Sequence, residues 1–158
     1  MFRDMRRRKQ LVPGNECRAI LRSEKRGVLS VIGDDGYPYG VPINFYYDED
    51  ENILYFHCAR QGHKTDAIQN CDKVSFTTWN HGSRKEGDWA FYVTSVIVMG
   101  KAELVDDPDV IYEKTHKLAE KYYPPDEDIE AEWEKFGKNV QIIAVHIQHM
   151  TGKLVHEK

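Results

Sequence analysis

Two runs of alternating apolar residues flank Asp34-Asp35-Gly36, and that pairing constrains the fold more than any other stretch. A turn with glycine available for positive φ, set between two such runs, reads as a β-hairpin. In the first run Val28, Ser30 and Ile32 alternate with Leu29 and Val31. A strand apolar on both faces belongs in the interior of a sheet. The return strand, Tyr39 to Tyr47, puts Tyr39, Val41, Ile43, Phe45 and Tyr47 on one face, with Gly40, Pro42, Asn44 and Tyr46 on the other. Pro42 has no N–H to give a ladder, so it marks an edge or a bulge. Bulges and broken pairing tend to lie beside binding sites.

Further strand patterns cover Ile53 to Cys58, Lys73 to Asn80, Trp89 to Val105 and Val140 to Ile147, the longest interrupted at Gly100, where a barrel strand bends. Helical patterns cover Asn15 to Lys25, ended by Gly27, then Lys64 to Asn70 and Ile129 to Phe136. A longer one is capped by Asp106-Asp107-Pro108 and runs to Tyr122, with Ile111, Thr115, Leu118 and Tyr122 on one side. Hairpin connections favour antiparallel pairing. Strands apolar on both faces favour a small closed or split barrel over an open sheet. The expectation is a mainly β fold with flanking helices: a six-stranded, mostly antiparallel split β-barrel. It is expected as one domain over 1–158, with a basic arm at 1–12 and a short, partly mobile tail at 150–158.

A net charge of −4 has the wrong sign for a general nucleic-acid binder. Arg3, Arg6, Arg7, Arg8 and Lys9 nevertheless make the arm basic, and salt-dependent nucleic-acid binding by it is a minor alternative. Asp126, Glu127, Asp128, Glu130, Glu132 and Glu134 make an acidic segment. Solvated charge accounts for both runs. Cys17, Cys58 and Cys71 include no CxxC pair, so neither a disulfide framework nor a zinc site is indicated. With no apolar signal region and no span-length apolar run, a cytoplasmic protein is expected, without membrane contact.

Chemistry concentrates at Leu54–Asp66. A strand pattern runs into Gly62, His63 and Lys64, and a short helix follows. Free N–H groups at a helix start point at an anion, and the dipole favours negative charge there. Glycine lets a ligand approach, lysine supplies a charge, and histidine offers a titratable donor. An ordinary loop with a solvated lysine fits the same residues. His57 shares a face with Ile53 and Tyr55 and fits a packed strand histidine. Cys58 on the opposite face fits a small buried apolar residue, with no base at a recognisable spacing. His146 and His149, three apart on a strand, point to opposite faces and suit no shared metal. Thr94 and Ser95 lie on a strand of alternating hydroxyl and aliphatic side chains that fits either a core strand or the wall of a planar ligand.

Arg7-Arg8-Lys9-Gln10, Gly27-Val28-Leu29-Ser30, Asp34 to Asn44, Tyr55 to Ala59, Gly62-His63-Lys64, Lys73 to Phe76, Ser95-Val96, Gly100-Lys101-Ala102 and Thr151-Gly152-Lys153 form an ordered series over nearly the whole chain. Each block is weak alone. Together the series resembles the nitroimidazole-resistance branch of the FMN-binding split-barrel flavoproteins, the pyridoxamine-phosphate-oxidase-like group. That resemblance implies a homodimer with FMN at each subunit interface. It implies Val41, Pro42 and Asn44 along the isoalloxazine, His57, Cys58 and Ala59 beside it, and His63 and Lys64 at the phosphate end or the flavin edge. Ser95 would approach from the partner subunit. It further implies an oxidoreductase of nitroreductase type that takes electrons from a donor and passes them through the flavin to a small acceptor. His63 is then the candidate proton donor. A flavin carrier without turnover, or a split barrel holding haem or a deazaflavin instead, are the competing expectations.

Overall fold

The computed structural model describes residues 1–125 and 127–156; Asp126 of the acidic run and Glu157 and Lys158 of the expected tail lie outside them. Strands run β1 Leu11–Val12, β2 Arg26–Ile32, β3 Pro38–Asn44, β4 Tyr46–Asp48, β5 Ile53–Ala59, β6 Lys73–Trp79, β7 Ser83–Arg84, β8 Phe91–Val105 and β9 Val140–His156. Helices are α1 Gly14–Ser23, α2 His63–Asn70, α3 Pro108–Tyr122 and α4 Ile129–Phe136. The strands form one sheet in the order β3-β2-β6-β8-β9-β5-β4, with β1 added to β9 and β7 to β8. All of these pairings are antiparallel.

Phe45 alone separates β3 from β4, yet these strands stand at opposite ends of the sheet order. The sheet must therefore curl until its edges approach, which makes a split β-barrel. All six expected strands are present. The count rises to nine because β1 and β7 are two-residue additions and because the Tyr39–Tyr47 run divides at Phe45. That division has a long-range cause. The Phe45 N–H donates to the Tyr122 hydroxyl at 2.8 Å, and Lys121 Nζ donates to the Phe45 carbonyl at 3.0 Å and to the Glu24 carbonyl at 2.7 Å. Burial in this position pulls the Lys121 ammonium down to about 8. Pro42 lies on the edge strand β3, where its missing donor costs no ladder bond.

Inside the curl, the Phe76 ring packs 4.7 Å from Phe45 and 5.3 Å from Phe56, with Leu29, Val96, Val98 and Ile143 fully buried around them. α1 closes one side with Cys17 and Leu21, and α2 brings Ala67 and Ile68. A second core lies outside the sheet, where α3 sets Ile111 and Leu118 against Tyr55, Val105, Ile142 and Ala144. β9 is thus buried on both faces along its first half, as its unbroken apolar run requires.

Two expectations need correction. The segment from Met150 onward is not a tail through His156, because β8 is long enough to pair with it as far as Tyr92↔His156. Gly27 does not end a helix; it is a strand residue facing Phe76, whose ring lies 2.3 Å from where a Cβ would stand. The interruption at Gly100 is a bulge: the register passes from Met99↔His149 to Gly100↔Ile147 and leaves Gln148 unpaired. A Cβ at Gly100 would lie 2.3 Å from the His146 carbonyl oxygen, a backbone atom with little freedom to retreat. Gly100→Ala should therefore cost about 1–3 kcal/mol, read as a lower urea midpoint.

Candidate functional site

β5 delivers the chain to Gly62, which adopts φ 153° and ψ 169°, a backbone conformation that favours glycine. No atom lies within 4 Å of the place a Cβ would take, so the backbone there faces open space. Gly62 offers no side chain to cap α2, and its carbonyl accepts from the Thr65 hydroxyl at 2.6 Å. The first N–H groups of α2 are left free of side-chain caps. Lys64, in that first turn, is half-buried and makes no ion pair among the described residues. Its charge reaches both His57 and Cys58. Partial desolvation lowers the pKa of His57, an exposed residue of β5, and Lys64 lowers it further. Burial pushes the Cys58 thiol up, against the pull of Lys64, and the residue packs on the barrel core. A high thiol pKa is wrong for a nucleophile.

His63 goes elsewhere. Its ring stacks on Tyr39 at 4.1 Å, and its Nε2 accepts from the Asp34 N–H at 3.4 Å and lies 3.7 Å from an Asp34 carboxylate oxygen. The β2–β3 turn thus engages one of the two His63 ring nitrogens, Nε2.

His57 and Asn44 come together instead, at the floor of a cavity of about 340 Å³ between the sheet and the α3–α4 pair. Asn44 Oδ1 accepts from Arg26 Nε at 2.9 Å, which fixes the amide. Thr115, Tyr122, Trp133 and Phe136 supply much of the opposite wall. The Thr115 hydroxyl oxygen is buried without a hydrogen-bond partner. These wall residues were not legible as a site, since an aromatic on an amphipathic helix reads equally well as core. Val41 and Pro42 lie on the β3 edge, paired with Leu29 and Val28, and Ala59 ends β5 exposed.

The β2–β6 register, continued to Arg26, places Ser95 in one cross-strand row with Asn44, Arg26 and Trp79. Ser95 pairs with Lys153 on β9, whereas His57 pairs with Ile142, eleven residues earlier on that strand. Ser95 stands on the outer face of the sheet, beside Trp79 and Lys153. The next row on that face is Pro42, Val28, Thr77, Ile97 and Thr151, and the one beyond is Gly40, Ser30, Ser75, Met99 and His149. Trp79, Ile97 and Met99 are 51%, 42% and 41% exposed there, leaving apolar area uncovered.

Among the described residues no group of three or more His, Cys, Asp and Glu side chains could hold a metal ion, and no helix is long and apolar enough to cross a membrane. No curated protein matches the chain by sequence. Solved structures do. A candidate 5-nitroimidazole antibiotic resistance protein from Bacteroides thetaiotaomicron is 20% identical, with TM-score 0.80 over 92% of this chain and 87% of that one. An FAD-binding protein from Mycobacterium smegmatis is 19% identical, with TM-score 0.65 over 94% and 99%. An FAD- and haem-binding protein from the same organism is 17% identical, with TM-score 0.73 over 92% and 73%. These likenesses establish the split-barrel fold. A profile of the pyridoxamine 5'-phosphate oxidase family matches residues 13–154, nearly the whole chain, and the chain belongs to that family.

Proposed function

We propose that the protein binds FMN, one per protomer at the interface of a homodimer, and reduces a small acceptor such as a nitroaromatic. The observation that carries this reading is Lys64: a half-buried cation without an ion pair, in the uncapped first turn of α2, beside His57 and Cys58. A phosphate monoester suits that donor set. The backbone of the β3 edge from Val41 to Asn44 has no strand partner on its outer side and can hydrogen-bond a planar ring. The FAD named for the two mycobacterial neighbours supports a flavin as the ligand class.

One observation favours a dimer: the outer sheet face leaves apolar area uncovered at Trp79, Ile97 and Met99. Sedimentation should show a dimer; a monomer at micromolar concentration would contradict this part of the proposal.

Bound flavin supplies the electron transfer, and the protein supplies orientation and electrostatics. Lys64 neutralises the phosphate. His57, an imidazole whose pKa is lowered and which lines the cavity, takes the proton-handling role that the resemblance suggested for His63. The engagement of His63 by Asp34 favours a second reading, flavin carriage without turnover. Anaerobic incubation of the FMN-loaded protein with NAD(P)H and a nitroimidazole separates the two. Loss of the nitro absorbance supports the enzyme, and tight FMN binding without such loss supports the carrier.

A further inference from the structure

We infer that Arg26 anchors a carboxylate on the electron acceptor and so determines specificity for small carboxylate-bearing molecules. The acceptor's role rests on the proposed function; the anion subsite stands on the fixed guanidinium alone.

Arg26 opens β2, opposite Asn44 on β3 and on the same face of the sheet. Asn44 lines the cavity with His57 and Tyr122, and the Arg26 charge reaches the Tyr122 hydroxyl on that wall. An exposed arginine ordinarily samples many rotamers, and ordering it costs part of any binding energy it supplies. Arg26 is held from two directions instead. Its Nε donates to Asn44 Oδ1 at 2.9 Å. Its backbone lies in a fastened segment. The Glu24 carbonyl accepts from Lys121 Nζ at 2.7 Å, the Lys25 carbonyl accepts from the Tyr122 hydroxyl, and the Arg26 carbonyl accepts from the Thr78 hydroxyl at 2.7 Å. Thr78 is fully buried, so that last bond is sheltered from water.

The free end of the side chain sets the ligand class. Nη1 and Nη2 carry no hydrogen bond or ion pair among the described residues. Their N–H groups form a planar fork that matches the two oxygens of a carboxylate. Lys25 and Lys121 flank the fork, likewise without ion pairs among the described residues, against the flanking carboxylate of Glu24. Glu132, on the cavity lining, is paired with Lys135 at 3.7 Å. The corner therefore favours an anion. The fork adjoins Asn44, so a carboxylate seated on it leaves the rest of a small acceptor over the cavity mouth that His57 and Asn44 line.

The test compares 4-nitrobenzoate with 4-nitrobenzyl alcohol, two probes of similar shape that differ in the carboxylate. Calorimetry on FMN-free and FMN-loaded protein reads their binding without turnover. The parent should prefer 4-nitrobenzoate about 10-fold, the size of one charge-assisted contact at an exposed site, and added salt should reduce that preference. Arg26→Gln places its amide nitrogen where Nε stands and keeps a donor for Asn44. It should abolish the preference while affinity for the alcohol and FMN uptake hold. Arg26→Lys, a charge without the fork, should keep only part of the preference. In turnover the Arg26→Gln loss should fall on KM for 4-nitrobenzoate and leave kcat unchanged. A parent without preference, or an Arg26→Gln preference equal to the parent's, overturns the inference. Loss of FMN uptake in Arg26→Gln also overturns it, because the fork would then serve the flavin, and dissociation of a dimer would assign the fork to the subunit contact. An Arg26-dependent preference in protein that takes up no FMN supports the carboxylate subsite and sinks the flavin proposal instead.

Discussion

Lys64→Ala should weaken FMN binding by roughly 10- to 100-fold, because a hydrogen bond to a charged group contributes about 1.5–3 kcal/mol. The lysine is half-buried and without an acidic partner among the described residues, so no local carboxylate competes with the phosphate for its charge. Flavin-fluorescence quenching measures the affinity, and Lys64→Arg should retain most of it. A second readout needs no ligand. Lys64 and the surrounding packing both hold the His57 imidazole below its ordinary pKa. Removing the lysine removes one of the two, so the His57 titration followed by NMR should move to higher pH. Unchanged affinity with an unchanged His57 titration would exclude Lys64 from the anion site.

Lys114→Met should produce the largest loss of stability. The Lys114 side chain is 3% exposed, with Nζ 3.1 Å from Asp48, 3.2 Å from Glu51 and 3.2 Å from Glu113, above the Tyr55 ring at 4.9 Å. Burial opposes its charge, but hydrogen bonds to Asp48, Glu113 and Glu51 overcome that and raise its pKa. Without the ammonium, Asp48 at 17% exposure faces Glu51 with no counter-charge. Breaking a buried pair costs about 3–5 kcal/mol. Glu51 and Glu113 are 45% and 58% exposed and partly hydrated, which lowers the expectation to about 2–3 kcal/mol. For a chain of this size that corresponds to a Tm lower by roughly 5–10 °C in thermal unfolding. Adding Asp48→Asn should restore part of it, since the uncompensated charge is then gone. A shift under about 1 °C would show that the cluster contributes little. The cluster also ties α3, one wall of the cavity, to the β4–β5 turn, so its loss should loosen the site.

Local chemistry made much of this fold legible. The Asp34-Asp35-Gly36 turn, the edge position of Pro42, the bulge at Gly100 and the bounds of α4 follow from glycine, proline and capping residues close in sequence. Interactions that span the chain did not show. Phe45 splits a well-patterned strand because Lys121 and Tyr122, some 77 residues on, take its backbone groups. Thr151 and Lys153 look like a polar tail until β8 supplies a partner for them. The site divides the same way. His57 and Asn44 were named only through the family resemblance, while Lys64 could be named from a helix start. The engagement of His63 by Tyr39 and Asp34 could not, because it depends on how α2 packs on a hairpin from the first third of the chain. Nor could the α3–α4 wall, whose aromatic residues follow the spacing of ordinary core.

The central claim is a flavin phosphate held at Lys64 and the start of α2, and the visible spectrum of the purified protein tests it most directly. Protein prepared without added cofactor, or after addition of FMN, should be yellow and bleach with dithionite. The released flavin should run as FMN in chromatography, in stoichiometry of about one per protomer. Colourless protein that takes up neither FMN nor FAD would contradict the account.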